Sequence, residues 1–333
     1  RDVERSRGLG DVYKRQILIL FGVSVILYIL LRCMPTDFVE SRILALTQGG
    51  ADVQEELIQV MYKSYGLDGS IIEGYFSWLG NALRGDFGKS FISQRDVVSE
   101  IFNKDRIGTS FFVAAVATVF EFLIAIPLGI TAATHQYSAR DYVVTVLVLI
   151  GISLPSFFFG QLLKDIFANK LGWFPVSGMK DAGVTYANAG EMIADYLHHM
   201  FLPILTVVIL SIGSRMRMTR TNMLEVMNSD YIRTARAKGL KESVVVYKHA
   251  FRNTMIPLVT SLAGLIPSLF SGAMITEQVF DLTGIGNYAL KAMTQGDIPV
   301  IMTYNMFLAI LSVVGVLLAD LMYAVVDPRV KLA

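Results

Sequence analysis

Six predominantly apolar stretches alternate with polar and charged segments along the chain, at about Ile17 to Met34, Gly108 to Ala133, Tyr142 to Phe167, Met200 to Met218, Thr254 to Thr276 and Pro299 to Val326. Each is about long enough for a helix to cross a bilayer, which takes roughly 20 residues. Pro127, Pro155, Pro203, Pro257 and Pro267 lie inside these stretches. Prolines are ordinary in membrane helices, where neighbouring groups satisfy the backbone that a proline frees. The pattern predicts an all-α polytopic membrane protein with six transmembrane helices. No small-residue cleavage site follows the first stretch, so it does not read as a cleavable signal peptide.

Composition agrees. Hydrophobic residues make up 53% of 333 and charged residues 17%, confined largely between the apolar runs. The formal net charge of +1 carries no message about partners, because the distribution of charge is what matters here. One cysteine, Cys33, excludes an intramolecular disulfide and any multi-cysteine metal site. Residues 1–16 are half charged and contain no Met, and they resemble translated adapter read-through rather than native sequence. They are expected to be a non-native scar and are left out of the fold reasoning. The remaining chain divides into 17–106, a first transmembrane helix with an external segment, and 107–333, a five-helix core with a cytoplasmic loop at 219–253.

Lysine and arginine set the orientation. The loop between the fourth and fifth stretches holds Arg220, Arg233, Arg236, Lys238, Lys241, Lys248 and Arg252 against Glu225, Asp230 and Glu242. The segment between the first and second stretches is instead rich in acids, among them Asp37, Glu40, Asp52, Glu55, Glu56, Asp68 and Glu73. Basic loops stay in the cytoplasm, which places both termini there as well.

Within the basic loop, Asp230 to Pro257 predicts two short helices joined by a glycine hinge. Asp230 is the expected N-cap of Tyr231 to Lys238, Gly239 the left-handed residue that ends that helix, and a second helix starts near Glu242. Ala235, Ala237 and Gly239 are expected to leave one side low enough for another protein to approach. By its residues alone the loop either only fixes topology or is gripped by a partner. The run DYIRTARAKGL followed by KHAFRNTMIP resembles the EAA loop of ATP-binding cassette (ABC) importer membrane subunits, in the form found in the oligopeptide, dipeptide and nickel permease family. Gly239 and Ala235 keep the general pattern, while Arg233, Thr234, His249 and Arg252 stand where it has Glu, Ala, Ile and Pro. The resemblance implies a coupling helix that sits in a groove of a cytoplasmic ATPase, with Asp230, Tyr231, Arg233, Ala235, Arg236, Ala237, Lys238, Gly239, His249, Arg252 and Asn253 as its coupling residues. It also implies the type I ABC importer permease (MetI-like) fold.

Further elements carry the same resemblance over nearly everything after residue 30. Arg84 to Ser90 is not a phosphate-binding loop, since Leu83 stands where the first glycine would be and no strand precedes it. It is similar to the family's GD-x-G-x-S element, and reads either as a docking surface for an external binding protein or as a structural cap. Gly172 to Gly178 resembles G-W-x-P-x-x-G, with Trp173 suited to the membrane interface. Thr276 to Asp281, Gly284-Ile-Gly286, Gly296-Asp297-Ile298-Pro299, Asp320 to Tyr323 and Asp327-Pro328-Arg329 complete the set. His198 and His199 are adjacent, without a third His or a carboxylate pair close by in sequence, so no metal site is expected.

The chain has no nucleotide-binding motif, no nucleophile elbow and no His-Glu-x-x-His. A transport subunit of this kind needs partners, and the resemblance implies them. Cytoplasmic ABC ATPase subunits would use ATP and magnesium. A second, homologous permease subunit would complete the pair, although a homodimer stays open. An extracytoplasmic binding protein would deliver substrate. This chain itself is expected to bind no cofactor and no nucleic acid, and to lie in the bacterial cytoplasmic membrane. The expected cargo is a di- or oligopeptide, with a nickel complex as the alternative. Glu121, mid-way along the second stretch, is either on the transport path or packed between helices. In an ion-driven secondary transporter it would be the coupling acid. Ser153, Pro155, Ser268 and Ser271 are further candidates for the path.

Overall fold

A computed structural model describes residues 9–34, 38–48, 55–255 and 264–326. Its elements in order are α1 (Leu9–Arg32), α2 (Phe38–Gln48), α3 (Glu55–Ser64), α4 (Ile71–Ala82), α5 (Val97–Ile101) and α6 (Lys104–Thr134). Then come α7 (Ala139–Ser153), α8 (Ser156–Leu163) with a π-helical continuation Lys164–Lys170, α9 (Ala189–Met227), α10 (Asp230–Ala237) and α11 (Glu242–Val244) with a π-helical continuation Val245–Phe251. The chain ends in α12 (Leu265–Ser271), α13 (Met274–Val279), α14 (Ile285–Gln295) and α15 (Ile298–Val326). The described residues contain helices and an isolated bridge, Lys89 to Asp96, and no strand.

Four helical segments are long and apolar enough to cross a membrane: Lys14–Arg32, Val97–Thr134, Ala189–Met227 and Ile298–Ala319. They correspond to the first, second, fourth and sixth predicted stretches. The third stretch is broken. Pro155 lacks an N–H and pushes the residue before it out of the helical region, and Leu154 accordingly sits at φ −85°, ψ 129° between α7 and α8. The predicted fifth stretch lies partly outside the described residues. In its described part the chain breaks again, at Gly272 with φ +70°, between α12 and α13. The fourth helix runs well beyond the predicted 200–218. At 39 residues and about 1.5 Å per residue, α9 exceeds the roughly 30 Å hydrocarbon core, so its ends stand outside the bilayer.

The chain forms two compact units, one from the segments up to Ile107 with Tyr288–Val313, the other from Gly108–Asn287 with the segment beginning at Val314. In the first, Ser70 is the N-cap of α4: its hydroxyl accepts the Glu73 amide while donating to the Glu73 carboxylate at 2.9 Å. Tyr75 and Tyr28 meet edge to face at 5.6 Å between ring centres, and Ile298 and Met302 of α15 complete this cluster. In the second unit, α7 begins at Ser138 and α9 at Asn188, each accepting the amide three residues on. A Cβ on Gly129 of α6 would come within 2.9 Å of the Met216 carbonyl, and one on Gly151 of α7 within 3.2 Å of the Ile209 carbonyl. Small residues at these crossings let the backbones of α6 and α7 lie close to α9, as membrane helix packing favours.

Candidate coupling elbow and transport path

The elbow is built on the end of α9. Only Asn228 and Ser229 separate that helix from α10. Ser229, not Asp230, takes the N-cap position, and its hydroxyl donates back to the Val226 carbonyl at 2.6 Å rather than capping α10. Asp230 is the first residue of the helix, its carboxylate 97% exposed and 3.7 Å from Arg233. An acid in the first turn still complements the helix dipole. Gly239 adopts φ +75°, and its amide donates to the Arg236 carbonyl at 2.9 Å. This is the expected left-handed stop.

Amphipathicity decides which side of the elbow is open. Ile232 and Ala235, three apart on α10, are buried against Met223, Val245, Val246 and Ala250. Ala235 therefore does not belong to the low outer surface expected of it: a helix resting on a core must bury one stripe, and Ala235 falls on that stripe. The outer face carries Tyr231, Arg233, Thr234, Arg236 and Ala237, followed by Lys238, Gly239 and an exposed Leu240. Arg236 closes the hinge by donating twice to Glu242, at 2.7 and 3.2 Å. That pairing holds the Glu242 carboxyl below its usual range and raises Arg236. His249 is half-buried, while Arg252 and Asn253 are exposed, and the Asn253 amide bonds the His249 carbonyl at 2.8 Å.

The predicted path residues lie at the two helix breaks. Ser153 ends α7 and Pro155 precedes α8; Ser268 and Ser271 lie on α12, which ends just before Gly272. A cavity of about 460 Å³ is lined by Ser156, Val207, Ser211, Ala273, Met274 and Thr276, from α8, α9 and the start of α13. None of the four predicted residues lines it, but each break adjoins it. Glu121 is buried in α6 and accepts from Arg215 Nε of α9 at 2.9 Å. The Arg215 guanidinium also covers the Phe122 ring at 4.6 Å. Glu121 is thus one half of an interhelical ion pair.

Three constellations escaped the sequence reading. The first is a glycine nest around Glu277, which is fully buried. Its carboxyl accepts from Ser110 Oγ at 2.6 Å and from the Asn287 amide at 2.8 Å. A Cβ on Gly272 would lie 2.5 Å, and one on Gly286 2.9 Å, from its oxygens, and one on Gly284 would overlap them. The glycine spacing was visible, but its purpose depends on a partner 7 to 9 residues upstream and on α6. The second is Asp297, which accepts from Ser90 Oγ at 2.6 Å and the Phe91 amide at 3.1 Å, joining two of the resemblance elements. The third lies around His199. A carboxylate pair was not expected near it, yet Asp181, Asp195 and His199 converge with ligand atoms within 4.8 Å of one another. The cause is the segment before α9, which folds back so that the Asp181 amide donates to Asp195 at 2.9 Å. Tyr186 also donates to Asp195, and that bond pushes the phenol up to about 12.

A helical membrane protein with span-length helices, broken helices beside an open groove and a basic, braced elbow has the build of a transport subunit. Residues 125–332 match the family described as the binding-protein-dependent transport system inner membrane component. The chain belongs to that family, and is a multi-pass membrane protein. It is 36% identical to the oligopeptide transport system permease protein AppB of Bacillus subtilis (strain 168), over 95% of this chain and 96% of the relative. It is 34% identical to a putative peptide permease protein of Brucella ovis, over 94% and 95%. Identity to the glutathione transport system permease protein GsiC of Escherichia coli O1:K1 / APEC is 30%, over 94% of each. Among solved structures, an inward-facing form of the MetNI methionine ABC transporter shares the fold with a TM-score of 0.50 at 16% identity, covering 66% of this chain and 94% of that one.

Proposed function

We propose that this chain is the membrane-spanning permease subunit of an ATP-driven importer that translocates peptides handed over by an external binding protein. The observation that carries the reading is its match along 94 to 96% of both chains to relatives named as oligopeptide or peptide permeases. With no hydrolytic motif of its own, the chain takes its energy from cytoplasmic ATPase subunits, which bind ATP and magnesium. The outer face of α10 and the Gly239 hinge meet the groove of one such subunit. The hydrophobic cluster beneath Ile232 and Ala235 supports force transmission, because α10 cannot shift without moving α9 and the π-helical stretch packed on it. Closure of the ATPase pair would draw two elbows together and open the path outward; hydrolysis would reset it. A second permease subunit supplies the other elbow, and both termini face the cytoplasm. The engagement of Glu121 by Arg215 supports a packing role for that acid over one as a free coupling acid.

Gly239→Asp tests this reading. An L-residue at φ +75° costs about 1 kcal/mol, too little to unfold the subunit. The added carboxylate would stand where the elbow meets its partner. In proteoliposomes containing the whole importer, ATP-driven uptake of a radiolabelled tripeptide should be lost while membrane insertion persists. Unchanged uptake in the inserted variant would overturn the coupling role.

A further inference from the structure

An external pocket in the first unit has no part in the proposal above. It occupies about 410 Å³, within the range of small-ligand sites, in the segment that the charge pattern places outside the membrane. Its floor is aromatic. Phe38, Tyr65 and Phe91 pack with one another at ring-centre distances of 4.9 to 5.5 Å. Arg42 stands beside them, four residues from Phe38 on α2 and therefore on the same helix face. Its guanidinium is exposed and has no carboxylate partner among the described residues.

The far wall is held rigidly. Phe91 and Ile92 donate their amides to Asp297 at 3.1 and 3.3 Å, and Ser90 locks the same carboxylate at 2.6 Å. Gln94, at the rim, sits at φ +58°, a conformation uncommon for a residue with a side chain and found disproportionately at ligand sites. Its amide nitrogen is fixed by the Phe91 carbonyl at 2.8 Å. Gln295, two residues before Asp297, closes the pocket.

From this geometry we propose that the pocket binds the C-terminal residue of a peptide, with its apolar side chain on the aromatic floor and its carboxylate on Arg42. The aromatic faces accept an apolar or aromatic group, the exposed guanidinium matches a carboxylate in charge and fork geometry, and the glutamine amides suit a peptide backbone. The space fits one residue, not the surface of a protein. The inference rests on the peptide-importer reading, and gives that reading a preference for a free, apolar C-terminus.

The test uses the assembled importer in nanodiscs and two probes, N-acetyl-L-phenylalanine and its primary amide, followed by saturation-transfer NMR and titration. The acid should bind at least about tenfold more tightly than the amide, the difference expected of one charge-assisted pair. Arg42→Gln should abolish that preference, and Phe91→Trp, which fills the pocket, should weaken both probes. Equal affinity for acid and amide, a preference that survives Arg42→Gln, or no binding to the wild type would each overturn the proposal. ATP-driven tripeptide uptake by the same preparation keeps the two readings apart. Uptake without discrimination between the probes sinks only the pocket, whereas absent uptake counts against the importer reading and leaves the binding result to judge the pocket.

Discussion

Substitution of Gly284 by alanine should be among the most damaging single-methyl changes in this protein. Glu277 is held in full burial by Ser110 Oγ at 2.6 Å and the Asn287 amide at 2.8 Å, and Ser110 is itself fixed by the Ile285 amide at 2.9 Å. A Cβ at Gly284 would overlap the Glu277 carboxyl and crowd Ser110 Oγ, which lies 2.6 Å from its position. Because Gly272 and Gly286 wall the carboxyl on other sides, it cannot turn aside without giving up both bonds. A lost hydrogen bond that strands a buried polar group costs about 1 to 3 kcal/mol, so Gly284→Ala should destabilise by about 2 to 6 kcal/mol. Ser110→Ala, which removes one of the two bonds, should fall at about half of that. Thermal unfolding of the purified importer in detergent, followed by fluorescence-detected gel filtration, orders the variants. The sharper test is a double-mutant cycle. Glu277→Ala vacates the space nearest the new methyl and releases Ser110 Oγ from the bond that holds it there, so adding Gly284→Ala to it should cost far less than Gly284→Ala alone. Additive losses, or a Gly284→Ala variant as stable as wild type, would show that the nest does not hold the carboxyl as described.

Two other outcomes follow from the charges. Arg215→Met leaves Glu121 buried without its partner, which should cost about 3 to 5 kcal/mol, whereas the double variant Glu121→Leu with Arg215→Leu should lie near wild type; the same unfolding assay compares them, and equal losses in both would contradict the pairing. At the elbow, Arg236 lowers the Glu242 carboxyl, so the brace is present above the ordinary carboxylate range and is lost as pH falls through the lowered value. Hydrogen exchange across residues 239–245, corrected for intrinsic rates, should therefore quicken only once the pH falls below the ordinary glutamate range. Glu242→Gln should show the faster exchange already at neutral pH, without a further acid step. An acid step of the same size in that variant would exclude Glu242 as its origin.

Much of this protein was legible in one dimension because the bilayer is a strict solvent. A segment that crosses it must satisfy its own backbone and show apolar side chains all round, so runs such as Gly108 to Ala133 announce a helix whatever they pack against. Charge placement around Arg233 to Arg252 carries the expected orientation in the same local way, and Gly239 marked its own turn because only a residue without Cβ takes φ +75° at no cost. Contacts distant in sequence could not be read so. Ala235 looked like part of an open surface until the fold put Met223 and Val246 beneath it, and Glu121 looked solitary because its counter-charge, Arg215, is 94 residues away. Asp297 with Ser90, Glu277 with Ser110, and the aromatic pocket beside Arg42 are of the same kind. Local sequence determines what a segment must be in a membrane or at a turn, while the pairing of buried polar groups depends on which helices come together, and only the tertiary structure decides that.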